Sequence, residues 1–467
     1  MNASFRWLLC AFAAAACGED AVVEPWQVRS ELQIVHLDAQ RAVPLIARFT
    51  DDAKGAGEEL RQLLADGNAT LTAHLIVRTG NGLRGVAEQT TEVRYPTEIS
   101  PSDPSLIPAR KPGAAPESVH FPVTAFERRQ SGSTFEIEPF VHPGGRLIAV
   151  NVKLNVVDYP GIQRFESSVR ADGTKLHWEQ PVFHSRGNSR HLIARADLPV
   201  LIGCCKLQNN KRVAELHVLT IYVRLLNGAL ALDSGKLQAS PAKSAELVPT
   251  LPCSQARIEF HRFIVPTADS LKWRALLLDP SRVEAAFENL LAETKIGSSQ
   301  LAEILSVPNR DKDRGVFYNW REQRYEMELS MPGHGIQWSK EQEEAFRRIR
   351  IGTPPFAFEK RDIGETLEFE SVHDDQGMGV ELTLNSQATS FRGFARWPAG
   401  PSNGSQMAQT YYFEPDFTSH HTSAAFHLPN RQRVLLAFHQ LPAPDGRCEI
   451  SLIRAVTEHF TDEPKPQ

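Results

Sequence analysis

The sequence has few cysteines and no run of basic residues, and each absence excludes a class of protein. Six cysteines among 467 residues are too few for the disulfide framework of a small secreted domain. No CxxC pair or Cys/His spacing is typical of a zinc site. The formal charge of −5 provides no overall positive field, which argues against a nucleic-acid partner.

The motifs of common enzymes are missing as well. The chain has no Gly-x-Ser-x-Gly, no Walker loop and no His-Glu-x-x-His. A group of histidines occurs near the C-terminus, and we interpret its members as packed or solvated side chains rather than metal ligands: His420, His421, His427 and His439. The sequence therefore predicts a non-catalytic protein without a metal or cofactor.

Long apolar segments are absent beyond the N-terminus, so no transmembrane helix is expected in the mature chain. At the N-terminus Arg6 precedes an apolar stretch over 7–16, which predicts a signal peptide over 1–18 and an exported protein. A lipid on Cys17 is the alternative, but Ala14 stands where such signals have leucine. We favour cleavage without a lipid.

The remaining composition is that of a globular protein, with 41% hydrophobic and 23% charged residues. The length predicts at least two separate cores. Among the later cysteines, a disulfide from Cys204 or Cys205 to Cys253 is one alternative, and buried free thiols are the favoured interpretation.

An internal repeat organises the chain. At an offset of 230 residues, Arg84-Gly85-Val86 matches Arg314-Gly315-Val316, and Glu92-x-Arg94-Tyr95 matches Glu322-x-Arg324-Tyr325. At an offset of 232, residues 125–138 match 357–370 with eight of fourteen identities. The sequence thus predicts two tandem copies of one module, at 25–226 and 256–458, with a Ser/Ala/Pro-rich linker over 227–255 and a polar tail over 459–467.

Each copy is predicted to be mostly strand. A β-type run opens each copy, a helical stretch follows and ends near Gly67 or Gly297, and alternating strands with Gly-rich turns complete the copy. The predicted class is α+β, with one or two helices against antiparallel sheet in each copy.

The order of these elements resembles the C-terminal domain of bacterial secretins, the outer-membrane ring proteins of type II and type III secretion. The family's Gly-x-x-Leu-x-Val-x-Pro strand is similar to residues 132–139, and its Val-Leu-Gly-Gly strand is similar to 200–203. Its Asn-Gly turn and the following strand are similar to Asn81-Gly82 and Arg94-Tyr95-Pro96. The resemblance implies a location in the periplasm or at the outer membrane, and a structural or accessory role in a secretion or surface assembly.

Two departures bear on that role. The family's Pro-x-Leu-Gly repeat is replaced by residues 206–214, and the first module follows directly on the expected signal peptide, where the family has periplasmic domains. We therefore expect the inherited fold without a large membrane pore. The expected partners are proteins of the cell envelope, including further copies of the chain.

A recurrent set of charged residues is the candidate site. Two interpretations are open: a solvated sheet face worth little per ion pair, or a contact surface between the modules with Arg facing Glu across strands. The set comprises Glu92, Arg94, Glu98, Glu127, Arg129, Glu136 and Glu138, with Glu322, Arg324, Glu328, Glu359, Arg361, Glu368 and Glu370.

Two other functions stay open. A carbohydrate- or protein-binding β module would be favoured by an exposed aromatic patch of Trp397, Tyr411 and Tyr412. An exported hydrolase would need a cleft with perturbed titrating groups, which the sequence does not indicate.

Overall fold

The computed structural model describes residues 26–99, 123–169, 175–208, 210–225, 253–329, 355–373, 378–398, 411–441 and 446–460. The expected signal peptide, most of the expected linker and the polar tail after residue 460 lie outside these residues. The described chain is mostly strand with four short helices, so the predicted β-rich α+β class is confirmed. None of the described helices is long and apolar enough to cross a membrane.

The elements follow the same order in residues 26–225 (the first half) and 253–460 (the second half). The first half contains β1 (Trp26–Asp38), α1 (Ala39–Asp51), α2 (Ala53–Ala65), β2 (Ala69–Gly80), β3 (Gly85–Ile99), β4 (Val123–Val141), β5 (Leu147–Val169), β6 (Lys175–Arg195), β7 (Pro199–Leu207) and β8 (Asn210–Leu225). The second half contains β9 (Cys253–Pro266), α3 (Thr267–Leu277), α4 (Val283–Ile296), β10 (Gln300–Arg310), β11 (Arg314–Leu329), β12 (Pro355–His373), β13 (Gly379–Pro398), β14 (Tyr411–Pro429), β15 (Arg433–Gln440) and β16 (Arg447–Phe460).

Local sequence explains where the helices begin and end. The side chain of Asp38 accepts hydrogen bonds from the backbone N–H groups of Gln40 and Arg41, which caps α1. Helix α4 ends at Gly297, whose φ of 83° is the left-handed conformation that glycine adopts most readily. Strand β9 begins at Cys253, within the segment interpreted as linker.

Each half has a four-stranded antiparallel sheet, ordered β2-β1-β8-β7 in the first half and β10-β9-β16-β15 in the second. The register of β1 shifts at Ile34/Val35. Before the shift, Val28, Leu32 and Ile34 pack against the long strands. After it, Val35 and Leu37 pack against the helices. The shift thus lets one strand contribute to two apolar layers.

The long strands form an eight-stranded sheet, ordered β11-β6-β5-β4-β3-β12-β13-β14. Strands β11 and β12 also pair with each other. Strand β3 meets β12 only at the backbone pair Glu98–Ala357. Strands β3 to β6, β11 and β12 therefore form a closed ring of neighbouring strands. Every neighbouring pair in the ring shares a long ladder, except β3 and β12, which share the single pair.

The buried hydrophobic residues form several clusters, and one of these clusters is shared by the two halves. One cluster lies between the small sheet and the long strands of the first half, and a second occupies the same place in the second half and also includes Cys205 of β7. A third cluster joins the helices of both halves, since Leu45 and Phe49 of α1 belong to the same apolar cluster as Trp273 and Phe287. The length predicts more than one core, and the shared helix packing in addition connects the two halves.

Candidate functional site: the charged junction between the two halves

The two halves meet edge to edge along β6 and β11. Six consecutive antiparallel backbone pairs connect 184–189 with 316–321. Along this ladder Tyr318 lies opposite Gly187, and its hydroxyl group donates a hydrogen bond to Asn155 Oδ1 on β5, at 3.1 Å. A Cβ atom on Gly187 would lie 2.6 Å from that hydroxyl oxygen. It would also lie 2.3 Å from a backbone carbonyl oxygen of β5, so a side chain at position 187 would collide with β5 as well as with the tyrosine.

An ion pair joins the halves beside this ladder. Arg129 on β4 contacts the carboxylate of Glu322 on β11, which is only 4% exposed. Arg129 Nη2 also donates a hydrogen bond to Ser185 Oγ at 2.7 Å, and its guanidinium lies 4.7 Å from the ring centre of Phe183. Burial lowers the pKa of Arg129, while the negative charge of Asp362 acts in the opposite direction.

A tyrosine forms the second cross-half contact. Arg324 Nη2 on β11 donates a hydrogen bond to Tyr95 Oη on β3 at 2.8 Å, and its guanidinium lies 4.3 Å from the centre of the same ring. The Tyr95 hydroxyl in turn donates to Glu127 Oε2 at 2.8 Å. Burial and the Glu127 hydrogen bond raise the pKa of Tyr95, so it stays a neutral donor. Arg324 and Glu127 are thereby connected through one hydroxyl group.

A buried polar cluster lies between β7 and β10, deeper in the same junction. Glu303, 1% exposed, accepts hydrogen bonds from the backbone N–H of Lys206 at 2.9 Å and from Asn319 Nδ2 at 3.1 Å. Asn319 Nδ2 also donates to the carbonyl oxygen of Lys206 at 2.7 Å. The ammonium group of Lys206 contacts the carbonyl oxygen of Leu301. The edges of the two small sheets are thus joined by side chains.

An open polar cleft of about 790 Å³ lies beside the junction. Its wall includes Tyr318 and Trp320, whose rings stack with centres 4.4 Å apart. Gln130 and Asn155 supply amide groups, and Lys360 contributes a charge at the rim. Aromatic faces combined with amide and hydroxyl groups are typical of a site for a polar ligand.

Several residues of the candidate set make contacts within their own half. Glu136 pairs with Arg84 and Glu368 with Arg314. Glu138 accepts from Asn151 Nδ2 at 2.8 Å, and Glu359 accepts from the Tyr325 hydroxyl at 3.0 Å.

The other members of the set lie farther from the ladder. Arg94 pairs with Glu92 at 2.6 Å and is 75% exposed, and the guanidinium of Arg361 lies 4.7 Å from the ring centre of Phe417. Glu370 is exposed. The side chains of Glu98 and Glu328 lie outside the described part of the chain. The structure therefore brings Glu127, Arg129, Glu322 and Arg324 together, and distributes the rest along the sheet.

A buried charge cluster in the first half was not predicted. Glu215 is fully buried and accepts two hydrogen bonds from Arg186, at 2.6 and 2.5 Å. His36 Nε2 and His217 Nε2 lie 2.7 and 2.8 Å from its oxygens. Burial alone would raise the pKa of Glu215, but the charge of Arg186 and these hydrogen bonds hold it well below its usual range. A single acidic residue at the start of the apolar segment 216–225 is the signal that could have indicated this cluster.

A second unpredicted cluster contains three carboxylates and one arginine. Arg262 lies 3.1 Å from Glu365 and 3.7 Å from Glu449. Burial raises the pKa of Glu365 to about 7, with Arg262 acting against the shift and the charges of Glu303 and Glu449 adding to it. Its partners lie on β9, β10 and β16, so the residues could not be associated from spacing in the sequence.

The histidine group is only partly assembled. The rings of His420 and His439 are 5.3 Å apart, and His427 lies 3.1 Å from Glu381. Within the described ranges no group of three or more His, Cys, Asp or Glu residues is arranged to hold a metal ion. Cys204, Cys205 and Cys448 are buried and unbridged.

The aromatic residues proposed as an exposed patch are placed only as backbone. Trp397 on β13 pairs with Tyr412 on β14, and Tyr411 pairs with Pro398. The side chains of Trp397, Tyr411 and Tyr412 lie outside the described residues. Comparisons of the chain with protein-family models, curated proteins and solved structures found no match.

Proposed function

We propose that the chain is a non-catalytic, exported envelope protein, secretin-like and built from two tandem copies of one module, with a structural or accessory role in a secretion or surface assembly. The observation that carries the proposal is the junction in which Arg129 and Glu322 join the halves beside a continuous strand ladder. Ion pairs and strand edges hold protein subunits together, so the function we derive is assembly.

Recurring contacts support the duplication. The Tyr95–Glu127 hydrogen bond corresponds to Tyr325–Glu359 in the second half. The rings of Tyr95 and Phe183 are 5.8 Å apart, as are those of Tyr325 and Phe417. The guanidinium of Arg129 lies 4.7 Å from the ring centre of Phe183, and the guanidinium of Arg361 lies 4.7 Å from that of Phe417. Matching partners at these offsets are expected from copies of one fold.

The duplication gives self-association a definite geometry. The sequence offsets place Arg361 in the second half where Arg129 stands in the first, and Glu92 in the first half where Glu322 stands in the second. The backbone edges correspond in the same way, since β14 matches β6 and β3 matches β11. We propose that β14 of one chain pairs with β3 of the next, with Arg361 facing Glu92. Such a head-to-tail contact repeats along an assembly.

The test is the size of purified protein in detergent-free buffer, measured by light scattering over a range of concentrations. We expect concentration-dependent oligomers, which Arg361→Glu or Glu92→Arg weakens at least tenfold. Combining Arg361→Glu with Glu92→Arg restores the contact, because the charges are exchanged. Arg282→Glu, at an exposed residue beside α4, is the matched control and leaves assembly unchanged.

Two outcomes would contradict the proposal. A strictly monomeric wild-type protein would remove the head-to-tail contact, and oligomers insensitive to both charge reversals would place the contact elsewhere. Export is tested separately by cell fractionation and by the intact mass of the protein, for which we expect removal of about residues 1–18. A lipid mass on Cys17 would favour the lipoprotein alternative.

The second candidate function is a carbohydrate- or protein-binding β module, and the cleft favours its carbohydrate form. Tyr318 and Trp320 stand on β11 between small neighbours: Gly187 and Ser185 on one side and Thr366 and Gly364 on the other. Fluorescence titration with soluble oligosaccharides tests this candidate. We expect saturable quenching that is lost in Trp320→Ala, and unchanged fluorescence at millimolar sugar would reject it.

A further inference from the structure

Arg190 on β6 is a buried cation without a hydrogen-bonding partner. Its side chain is 3% exposed, and none of its three guanidinium nitrogens makes a hydrogen bond. The residue opposite it on β5 is Val152, which offers no side-chain acceptor. A buried guanidinium without a counter-charge is strongly destabilising in a protein interior. The three guanidinium nitrogens of Arg190 therefore keep a hydrogen-bonding capacity that no described residue uses.

A second buried arginine lies on the strand that faces this part of β6, since the backbone N–H of Ile193 donates a hydrogen bond to Gln255 Oε1 at 3.0 Å. Arg257 on β9 is 1% exposed, and its Nε has no partner, while its Nη1 donates to the carbonyl oxygen of Leu201 at 2.9 Å. Burial and the positive charge of Arg257 lower the pKa of Arg190 to about 9. The strand neighbours of Arg257 are Pro308 and Val456, so no acceptor side chain flanks it.

The other strongly buried arginines each lie near at least one carboxylate. Arg186 faces Glu215, Arg324 faces Glu322, and Arg433 lies near both Glu259 and Glu284. Glu458, on the same strand as Val456, accepts a hydrogen bond from Gln255 Nε2 at 2.7 Å. Of the arginines the structure describes, Arg190 and Arg257 are thus the two strongly buried ones with no carboxylate in salt-bridge contact.

We propose that Arg190 and Arg257 form a binding site for a small inorganic anion, with chloride as the representative ligand. One anion between the two guanidinium groups would satisfy unpartnered nitrogens on both and neutralise part of their charge. The two arginines belong to β6 of the first half and β9 of the second. The anion would therefore help to hold the two halves together.

The test is thermal unfolding of the full chain at constant ionic strength, with sodium chloride replacing sodium gluconate. We expect a saturable rise in Tm on the order of 2–4 °C. Arg190→Met removes the chloride dependence and is more stable than the wild type in gluconate, because it lacks the buried charge. Arg128→Met, at a residue 78% exposed, is the control and keeps the chloride dependence.

A direct readout covers the case in which a variant fails to fold. Chloride exchanging with the site broadens the ³⁵Cl NMR signal of wild-type protein, and bromide competes for the same site. Equal Tm values in chloride and gluconate, the same rise in Arg190→Met, or an unbroadened ³⁵Cl signal would each overturn the proposal. These results are independent of assembly, which is measured by light scattering.

Discussion

Arg129 on β4 and Glu322 on β11 form an ion pair that connects the two halves of the chain. Arg129 is 23% exposed and Glu322 is 4% exposed, so water screens this pair less than it would a surface pair. Glu322 also lies 3.5 Å from Arg324 and 3.6 Å from Lys360. One carboxylate therefore lies within salt-bridge distance of three cations on three different strands.

Removing that carboxylate charge should destabilise the junction. We expect Glu322→Gln to lower the free energy of unfolding by about 2–4 kcal/mol, because it leaves a partly buried arginine without its counter-charge. The control is Glu368→Gln, whose partner Arg314 is 63% exposed and which should cost less than about 1 kcal/mol. Chemical denaturation followed by fluorescence measures both. Equal losses in the two variants would contradict the assigned importance of Glu322.

Two glycines at matching positions should resist substitution. Gly132 and Gly364 have φ angles of 131° and 136°, and a Cβ at either would collide with a backbone carbonyl oxygen on the next strand. Gly161 has a φ of 133° but nothing within 4 Å of its Cβ position. Gly161→Ala should therefore report the conformational cost alone, about 1–3 kcal/mol. Gly132→Ala and Gly364→Ala should each lose more, as measured by the shift in denaturation midpoint.

The β-rich class and the helix stop at Gly297 could be predicted from the sequence, because alternation and glycine placement are local signals. The partner of Arg129 could not be predicted from the sequence. The sequence shows that Glu322 and Arg129 each belong to a recurrent charged set, but their contact depends on β6 pairing with β11, which no local pattern specifies. Glu215 and Glu303 show a weaker signal, since each is an acidic residue beside or within an apolar strand. Such a residue suggests a buried partner without identifying it.

The cysteines of β7 should be unreactive in the folded protein. Cys204 and Cys205 are fully buried, and burial, together with the negative charges of Glu303 and Glu215, raises the pKa of both thiols well above its usual value. Because the thiolate is the reactive form, we expect labelling by iodoacetamide only after denaturation. Peptide mass spectrometry of reduced samples, labelled with and without urea, provides the measurement. Rapid labelling of either residue under native conditions would contradict the structure.

The carboxyl group of Glu365 should make stability depend on pH. Its pKa is about 7 in the folded chain against an ordinary value of 4.5. Between these values the folded chain keeps a proton that the unfolded chain has lost. The free energy of unfolding should therefore fall as pH rises from about 4.5 to about 7, by up to about 3 kcal/mol, and level off above that range.

The groups that face Glu365 are Arg262, Glu303, Glu449 and Ser386. Burial also raises the pKa of Glu303, so its titration adds a slope of the same sign. Glu365→Gln should weaken the pH dependence of the free energy of unfolding between pH 5 and 7. It should also raise that free energy above pH 7, because the neutral amide adds no negative charge beside the other carboxylates. Glu368→Gln should keep the pH dependence of the wild type. Denaturation curves at half-unit pH intervals decide the matter, and an unchanged slope in Glu365→Gln would show that another group titrates in this range.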